Sequence, residues 1–186
     1  MAWLMRHAMA PYERRVAQRK RALFTGLAEM AGGSPRDLVL EIGCGTRANS
    51  AYLPPNARWI GADRNPRMRP PLCAAAERLP FACASVDVVI STLVLCSVAD
   101  PAVVLAEVRR VLRPGGRFLF LEHVAAPPGT RWRRWQQRLR PFCHACAGGC
   151  DPLRNTGATI VAAGFAEVAL EEFALGFPHI VGQATR

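Results

Sequence analysis

The sequence predicts an α/β protein, a largely parallel sheet with helices on both faces, and three observations carry that expectation. Apolar runs of strand length recur at Leu38–Ile42, Arg58–Ala62 and Val86–Ser91, the first followed by a glycine turn and the second by Asp63-Arg64-Asn65-Pro66. Apolar residues at helical spacing lie between and after them. A glycine turn, Gly43-Cys44-Gly45, closes the first run, which is where α/β sheets bring ligands against the chain.

A first helix is expected over Tyr12–Ala31, with Val16, Leu23, Phe24, Leu27 and Met30 along one stripe, stopped by Gly32-Gly33-Ser34-Pro35. The three strands follow. Asp100 caps a helix whose first residue is Pro101, with Val104, Leu105, Val108, Val111 and Leu112 inward and Pro114-Gly115-Gly116 ending it. Phe118–Val124 reads as the next strand. The carboxyl half continues with a basic, Trp-rich helix near Arg131–Ala147, a helix at about Leu153–Ala163, and strands at Val168–Phe173 and His179–Thr185. No repeat or internal linker divides the chain, so 1–186 is expected as a single domain, with 1–34 as an amino-terminal helical cover.

The 186 residues are 51% hydrophobic and 20% charged, which excludes a disordered chain. No apolar run approaches the roughly 20 residues of a membrane span. The first ten residues are too short and interrupted for a signal peptide or anchor, and a cytoplasmic protein is expected, with room for peripheral membrane contact. The formal net charge of +10 comes almost wholly from arginine, since Lys20 is the single lysine. The arginines cluster at 14–21 and 131–140, where they meet water, anionic lipid or nucleic acid, a solvated surface being the simplest reading. Seven cysteines, an odd number, do not make a disulfide framework. Cys143, Cys146 and Cys150 with His144 look like metal ligands. There is no second Cys-x-x-Cys, however, and the three cysteines share one helical face, so burial is the expectation and no metal site is assigned.

The chemistry-bearing positions gather at strand ends. Glu41-Ile42-Gly43-Cys44-Gly45-Thr46 joins a strand to a plausible helix start. Asp63 ends the next strand, where an acid can accept hydrogen bonds from both hydroxyls of a ribose. Ala76-Glu77-Arg78-Leu79-Pro80-Phe81, Ser85–Val89, Thr92–Val98, Val111–Gly116, Leu121–Ala125, Trp135-Gln136-Gln137, Gly149-Cys150 and Ala163-Gly164-Phe165 complete a pattern that resembles the class I S-adenosylmethionine-dependent methyltransferases, within them the group of alkyl-thiol, small-molecule and lipid methyltransferases. The likeness runs from Tyr12 onward. It implies a Rossmann-like sheet, S-adenosyl-L-methionine as cofactor, and a cofactor site drawn from Glu41, Gly43, Cys44, Gly45, Asp63, Glu77, Leu79 and Thr92. Leu93 and Cys96 would line the reaction cavity, and 128–165 would cover a small, apolar or amphiphilic acceptor such as a thiol or a lipid.

Three departures stand out. Arg47 replaces the third glycine of the turn, where a left-handed backbone would strain it and its side chain would point outward or toward the cofactor's carboxylate. Ala75 stands where the family often has an adenine-contacting aspartate. Only 13 residues separate Asp63 from Glu77, too few for a full crossover, strand and return, and Pro66, Pro70 and Pro71 obstruct a helix, so the sheet should be trimmed at its third-strand edge.

Methyl transfer from a sulfonium needs a placed nucleophile and exclusion of water. For a thiol the thiolate is the nucleophile, so a base or a positive environment helps. His123, at a strand end, is the preferred catalytic candidate, with Glu122 orienting it or facing the cofactor. A cofactor-binding protein of little activity and a basic nucleic-acid binder are the alternatives the sequence leaves open, the latter on charge alone.

Overall fold

A computed structural model of the chain describes residues 2–27, 37–54 and 57–186. The expected glycine stop of the first helix lies outside these residues.

Helix α1 runs Ala2–Phe24, so it starts ten residues before the expected Tyr12 and carries Pro11 within it. Then come β1 (Leu38–Ile42), a 3₁₀ turn (Ala48–Tyr52), β2 (Arg58–Asp63), a second 3₁₀ turn (Pro66–Met68), β3 (Leu72–Cys73), β4 (Val86–Thr92), α2 (Pro101–Val111), β5 (Leu112–His123), α3 (Arg131–Cys146), α4 (Thr156–Ala162), β6 (Glu167–Leu175) and β7 (Phe177–Thr185). The seven strands form one sheet in the order β3-β2-β1-β4-β5-β7-β6. The first five are parallel, and β7 runs antiparallel between β5 and β6.

Strand alternation sorts the core onto two faces. Leu40, Ile42, Val89, Phe118 and Phe120 pack with Val104, Leu105 and Val108 of α2 and Ile160 of α4. Val39, Val88, Ile90 and Leu119 point the other way and meet Phe24 and Leu27, while Leu121 and Val181 meet Val16 of α1. Asp100 caps α2 as expected, its Oδ1 accepting from Ala102 N–H at 2.8 Å. The helix ends before Pro114-Gly115-Gly116, which lies inside β5.

The trimmed edge is real but incomplete. Eight residues, Arg64 to Pro71, carry the chain from β2 to β3 through one 3₁₀ turn, and a strand of two residues survives, pairing Leu72 with Ala62 and Cys73 with Asp63. The expectation that the spacing left no room for a strand is corrected to that extent. The shared cysteine face is also corrected. α3 stops at Cys146, so Cys150 lies beyond the helix, and Cys146 is exposed rather than packed.

Candidate functional site at the strand ends

Strand order reverses between β1 and β4, so the loops leaving their carboxyl ends diverge and open a crevice. A cavity of about 400 Å³ fills it, within the size range of small-ligand sites. Gly43 and Gly45 border it from β1, Asp63 to Asn65 from β2, and Leu93, Val94, Ser97 and Val98 from the turn after β4. Met68, Ala74, Ala76, Glu77 and Cys146 to Gly148 complete the lining.

The glycine turn is pinned by its surroundings. Cys44 N–H donates to Ala62 O at 3.0 Å and Arg47 N–H to Cys44 O at 2.7 Å. Gly45 N–H donates to Asp63 Oδ2 at 2.9 Å, and Asn65 N–H to Oδ1 of the same carboxylate at 2.8 Å. Each carboxylate oxygen keeps a further lone pair, so Asp63 is fixed in place and still able to accept. Gly43 has φ +59°, and a Cβ there would lie 2.5 Å from Val94 Cγ2, so no other residue fits. A Cβ at Gly45 would meet only Gly43 O at 3.8 Å, which leaves the turn open to a ligand.

Arg47 does adopt the left-handed backbone, φ 60° and ψ 38°. Its exposed side chain is not part of the cavity lining, and Nη2 donates to Arg69 O at 2.8 Å. Arg69 is itself left-handed at φ 53°. Two strained residues thus tie the glycine turn to the shortened segment.

Of the residues the sequence pointed to, Gly43, Gly45, Asp63, Glu77 and Leu93 line the cavity, and the others stand behind it. Glu41 is buried, accepting from Asn49 Nδ2 at 2.9 Å and Trp59 Nε1 at 3.1 Å. Burial pushes its carboxyl up to about 7 against those two hydrogen bonds. Thr92 Oγ1 accepts from the same Asn49 amide at 3.0 Å. Cys44 is buried under the turn, its thiol pushed up to about 12 by burial and then by the Glu41 and Asp63 charges. Leu79 packs in the core. Glu122 does not orient His123. It is fully buried and accepts from Ser91 Oγ at 2.6 Å and Val94 N–H at 3.1 Å, so it holds the turn that presents Leu93 and Val94. Burial raises its pKa.

His123 sits behind the wall with Cys96 and Cys150. Its Nε2 lies 3.1 Å from Cys150 Sγ. Burial pulls the imidazole down, but the Cys96 hydrogen bond and the charges of Cys96, Glu122 and Asp151 outweigh it and leave the pKa raised. Hydrogen bonding between the two cysteines pushes Cys96 up and Cys150 down.

Sequence reasoning did not single out Arg64, Met68 or Val94 as lining residues, whereas Cys146 to Gly148 fall within the 128–165 stretch expected as acceptor-site cover. Arg64 Nη2 donates to Gly148 O at 3.2 Å, joining the end of β2 to the segment after α3 beside the cavity. No local spacing signals that contact across 84 residues.

Comparison with known proteins agrees with this geometry. A family model described as "Methyltransferase domain" matches residues 40–120. The chain is 39% identical to the human protein "Thiol S-methyltransferase TMT1A", over 94% of this chain and 81% of that one. It is 36% identical to the rat "Thiol S-methyltransferase TMT1B", over 99% and 85%. The chain belongs to this methyltransferase family. As a family member it is an S-adenosylmethionine-dependent methyltransferase, and the nucleic-acid reading drawn from charge gives way. Solved structures share the methyltransferase fold at lower identity. The YcgJ protein of Bacillus subtilis superposes with a TM-score of 0.64 at 16% identity, covering 89% of this chain and 98% of that one. The Haemonchus contortus phosphoethanolamine N-methyltransferase 2, solved with phosphomonomethylethanolamine and S-adenosylhomocysteine, gives 0.66 at 13%, covering 89% and 52%. The shortened β2–β3 edge is thus a variation within a methyltransferase sheet.

Proposed function

We propose that the cavity binds S-adenosyl-L-methionine and that the acceptor is a small apolar thiol. Asp63 carries the cofactor half of this reading: an acid held by two backbone N–H groups, on the wall of a cavity that Leu93, Val94 and Val98 also line. The residues present fit the cofactor. Gly43 and Gly45 leave the turn free of side chains for the methionine portion, Asp63 accepts from the ribose hydroxyls, and Met68, Ala76 and Glu77 border the adenine. Ala75 offers no polar anchor there, so Glu77, which accepts from Ala99 N–H at 3.2 Å, is the nearest acid on that side. When bound, S-adenosylmethionine supplies an electrophilic methyl group on a sulfonium, which a thiolate takes while the old carbon–sulfur pair stays on the departing sulfur.

The chain's own contribution is placement and desolvation. Leu93, held in a left-handed conformation at φ 56°, and Val94, fixed by Glu122, present apolar groups where a nucleophile would sit. His123 supplies the proton-accepting or positive environment that favours the thiolate. The thiol acceptor is supported by the names of the relatives and by this apolar wall.

Calorimetric titration with S-adenosylmethionine, followed by mass spectrometry of reactions fed isotopically labelled donor and thiol, amine, hydroxyl and lipid acceptors, tests the reading. Saturable binding and a labelled thioether are expected. Asp63→Ala should weaken binding by about 10- to 100-fold, the loss of one or two hydrogen bonds to a charged acceptor. Binding unchanged in Asp63→Ala, or label in other acceptors only, would overturn it.

A second surface bears on how an amphiphilic acceptor arrives. Only Gln136 of α3 is fully buried, and Trp132, Trp135 and Phe142 are 47%, 48% and 66% exposed. Their spacing puts them on one stripe of the helix, with Arg131 and Arg138 along one border and Arg133 and Arg140 toward the other. We propose that this face rests on an anionic membrane surface, aromatic rings at the boundary and arginines among phosphates. No described helix is long and apolar enough to cross a membrane. Flotation with phosphatidylserine vesicles should recover the protein, and Trp135→Ala with Phe142→Ala should release most of it. Equal recovery of the variant would remove the proposal.

A further inference from the structure

Three side chains with metal-ligand chemistry converge one residue behind the cavity. Cys96 Sγ, a ring nitrogen of His123 and Cys150 Sγ lie within 4.8 Å of one another. Three elements deliver them: the turn after β4, the end of β5 and the segment after α3. The backbone fixes their approach, since Asp151 N–H donates to Cys96 O at 2.8 Å. No other such group occurs among the described residues.

A tetrahedral zinc ion with bonds of about 2.3 Å to sulfur and about 2.0 Å to nitrogen places its ligand atoms roughly 3.5–3.8 Å apart. The 3.1 Å between His123 Nε2 and Cys150 Sγ is already close to that edge. The other separations are at most 4.8 Å, so shifts of roughly an ångström would admit an ion. One buried and one partly buried thiol and an imidazole gain little from one another, because sulfur is a weak hydrogen-bonding group. Two thiolates and a neutral imidazole around a divalent cation form a neutral unit, which removes the penalty of burying separate charges.

We propose that Cys96, His123 and Cys150 bind a thiophilic divalent cation of the zinc type, with the acceptor thiolate as its fourth ligand. Ser97, next to Cys96, and Gly148, two residues before Cys150, both line the cavity, so the open side of the ion is within reach of an acceptor there. Ion binding releases one proton from each of the two cysteines, and ligation of the acceptor thiol releases a third. All three pass to solvent or buffer, and no electrons are exchanged. The cation takes over the role of the positive environment assigned to His123, whose Nε2 faces the ion while Nδ1 keeps its proton. The fourth-ligand part rests on the thiol reading above, whereas the three-residue site does not.

Zinc content and zinc affinity test the site without reference to turnover. Protein purified with a phosphine reductant, which offers no competing thiol, is stripped with a chelator and titrated with Zn²⁺ against a chromophoric competitor. One equivalent should bind. Cys150→Ser and His123→Ala should each weaken it by at least about 100-fold, beyond the 10- to 100-fold seen for outer-shell changes. Cys143→Ser, in the neighbouring cysteine run but outside the site, should leave it unchanged. Circular dichroism confirms that each variant is folded. Binding of less than one equivalent, equal affinity in Cys150→Ser and wild type, or a Cys96–Cys150 disulfide persisting after reduction would overturn the site. Cobalt(II) then reports the fourth position. Propanethiol should alter the thiolate-to-cobalt charge-transfer and d–d bands, and an unmoved spectrum would overturn acceptor ligation. Labelled-methyl transfer to propanethiol, measured separately, shows whether the thiol reading stands when the metal site fails.

Discussion

The two sides of the sheet are built to different standards. On one side β5 runs twelve residues between β4 and β7, and Phe118 to Leu121 are all fully buried. On the other, β3 contributes two residues, neither of them fully buried, reached through a proline-bearing 3₁₀ turn and a left-handed Arg69. Asp63 stands on the lean side, and the Cys96–His123–Cys150 corner on the dense side. The packed surface thus lies beneath the Cys96–His123–Cys150 corner, while the Asp63 end, proposed above to hold the nucleoside, rests on a few directed hydrogen bonds. Substitutions should divide the same way: stability lost on the dense side, ligand affinity lost on the lean side.

The largest effect expected is on stability. Phe120→Ala removes a fully buried ring between α2 and the sheet and should cost about 3–5 kcal/mol. Leu72→Ala, on the short edge strand and only partly buried, should cost about 1 kcal/mol, because less area returns to water and the edge can relax. Urea unfolding of the two variants against wild type measures both. Comparable losses would mean that the lean edge is as tightly integrated as the centre.

Except at the short edge, the strands were legible in the sequence, although β5 starts at Leu112, six residues before the expected Phe118. A buried strand writes its own pattern, so Leu38–Ile42 was found with its exact bounds, and the expected ends at Ala62 and Ser91 fall one residue short of those observed. Asp100-Pro101 signalled α2 because a cap and its proline act within one turn. The third strand was not legible: its two residues directly follow Pro70-Pro71, with pairing that comes from β2 rather than from any local preference. The site divided likewise. Gly43, Gly45 and Asp63 are named by their place at strand ends. Cys150 was grouped with Cys143 and Cys146 because helical periodicity was carried past the true helix end at Cys146. Its partner His123 is 27 residues away, and only the fold brings the two together.

Glu41 sits at the boundary between the two sides and gives the next effect in size. Its folded pKa of about 7 lies above its ordinary value of 4.5. The folded protein therefore holds a proton across that interval which the unfolded chain has released. The stabilisation is complete below about pH 4.5, declines as pH rises toward 7, and is gone above it, amounting to about 3 kcal/mol for a group this buried. Glu122, also raised, slopes in the same direction, so the difference between wild type and Glu41→Gln isolates Glu41. Urea midpoints measured from pH 4.5 to 7.5 should fall less steeply in Glu41→Gln. An identical slope would place Glu41 in a more solvated setting than its contacts with Asn49 and Trp59 describe.

The smallest effect tests whether the lean side stores strain. Arg47 occupies a left-handed backbone that costs an L-residue roughly 1–2 kcal/mol, and it recovers part of this through its hydrogen bond to Arg69 O. Arg47→Ala keeps the strain and loses the bond. Arg47→Gly loses the bond as well but removes the strain, at the cost of a more flexible unfolded chain. The difference between the two variants cancels the lost bond and leaves the backbone contribution alone. Arg47→Gly should be the more stable by about 1 kcal/mol in urea unfolding. Arg47→Ala should fall below wild type by about 0.5–1 kcal/mol, the contribution of a single exposed hydrogen bond. If alanine and glycine are equal, the turn relaxes out of the left-handed region once the arginine is gone. The tether to Arg69, rather than the glycine turn itself, would then be what holds residue 47 in that conformation.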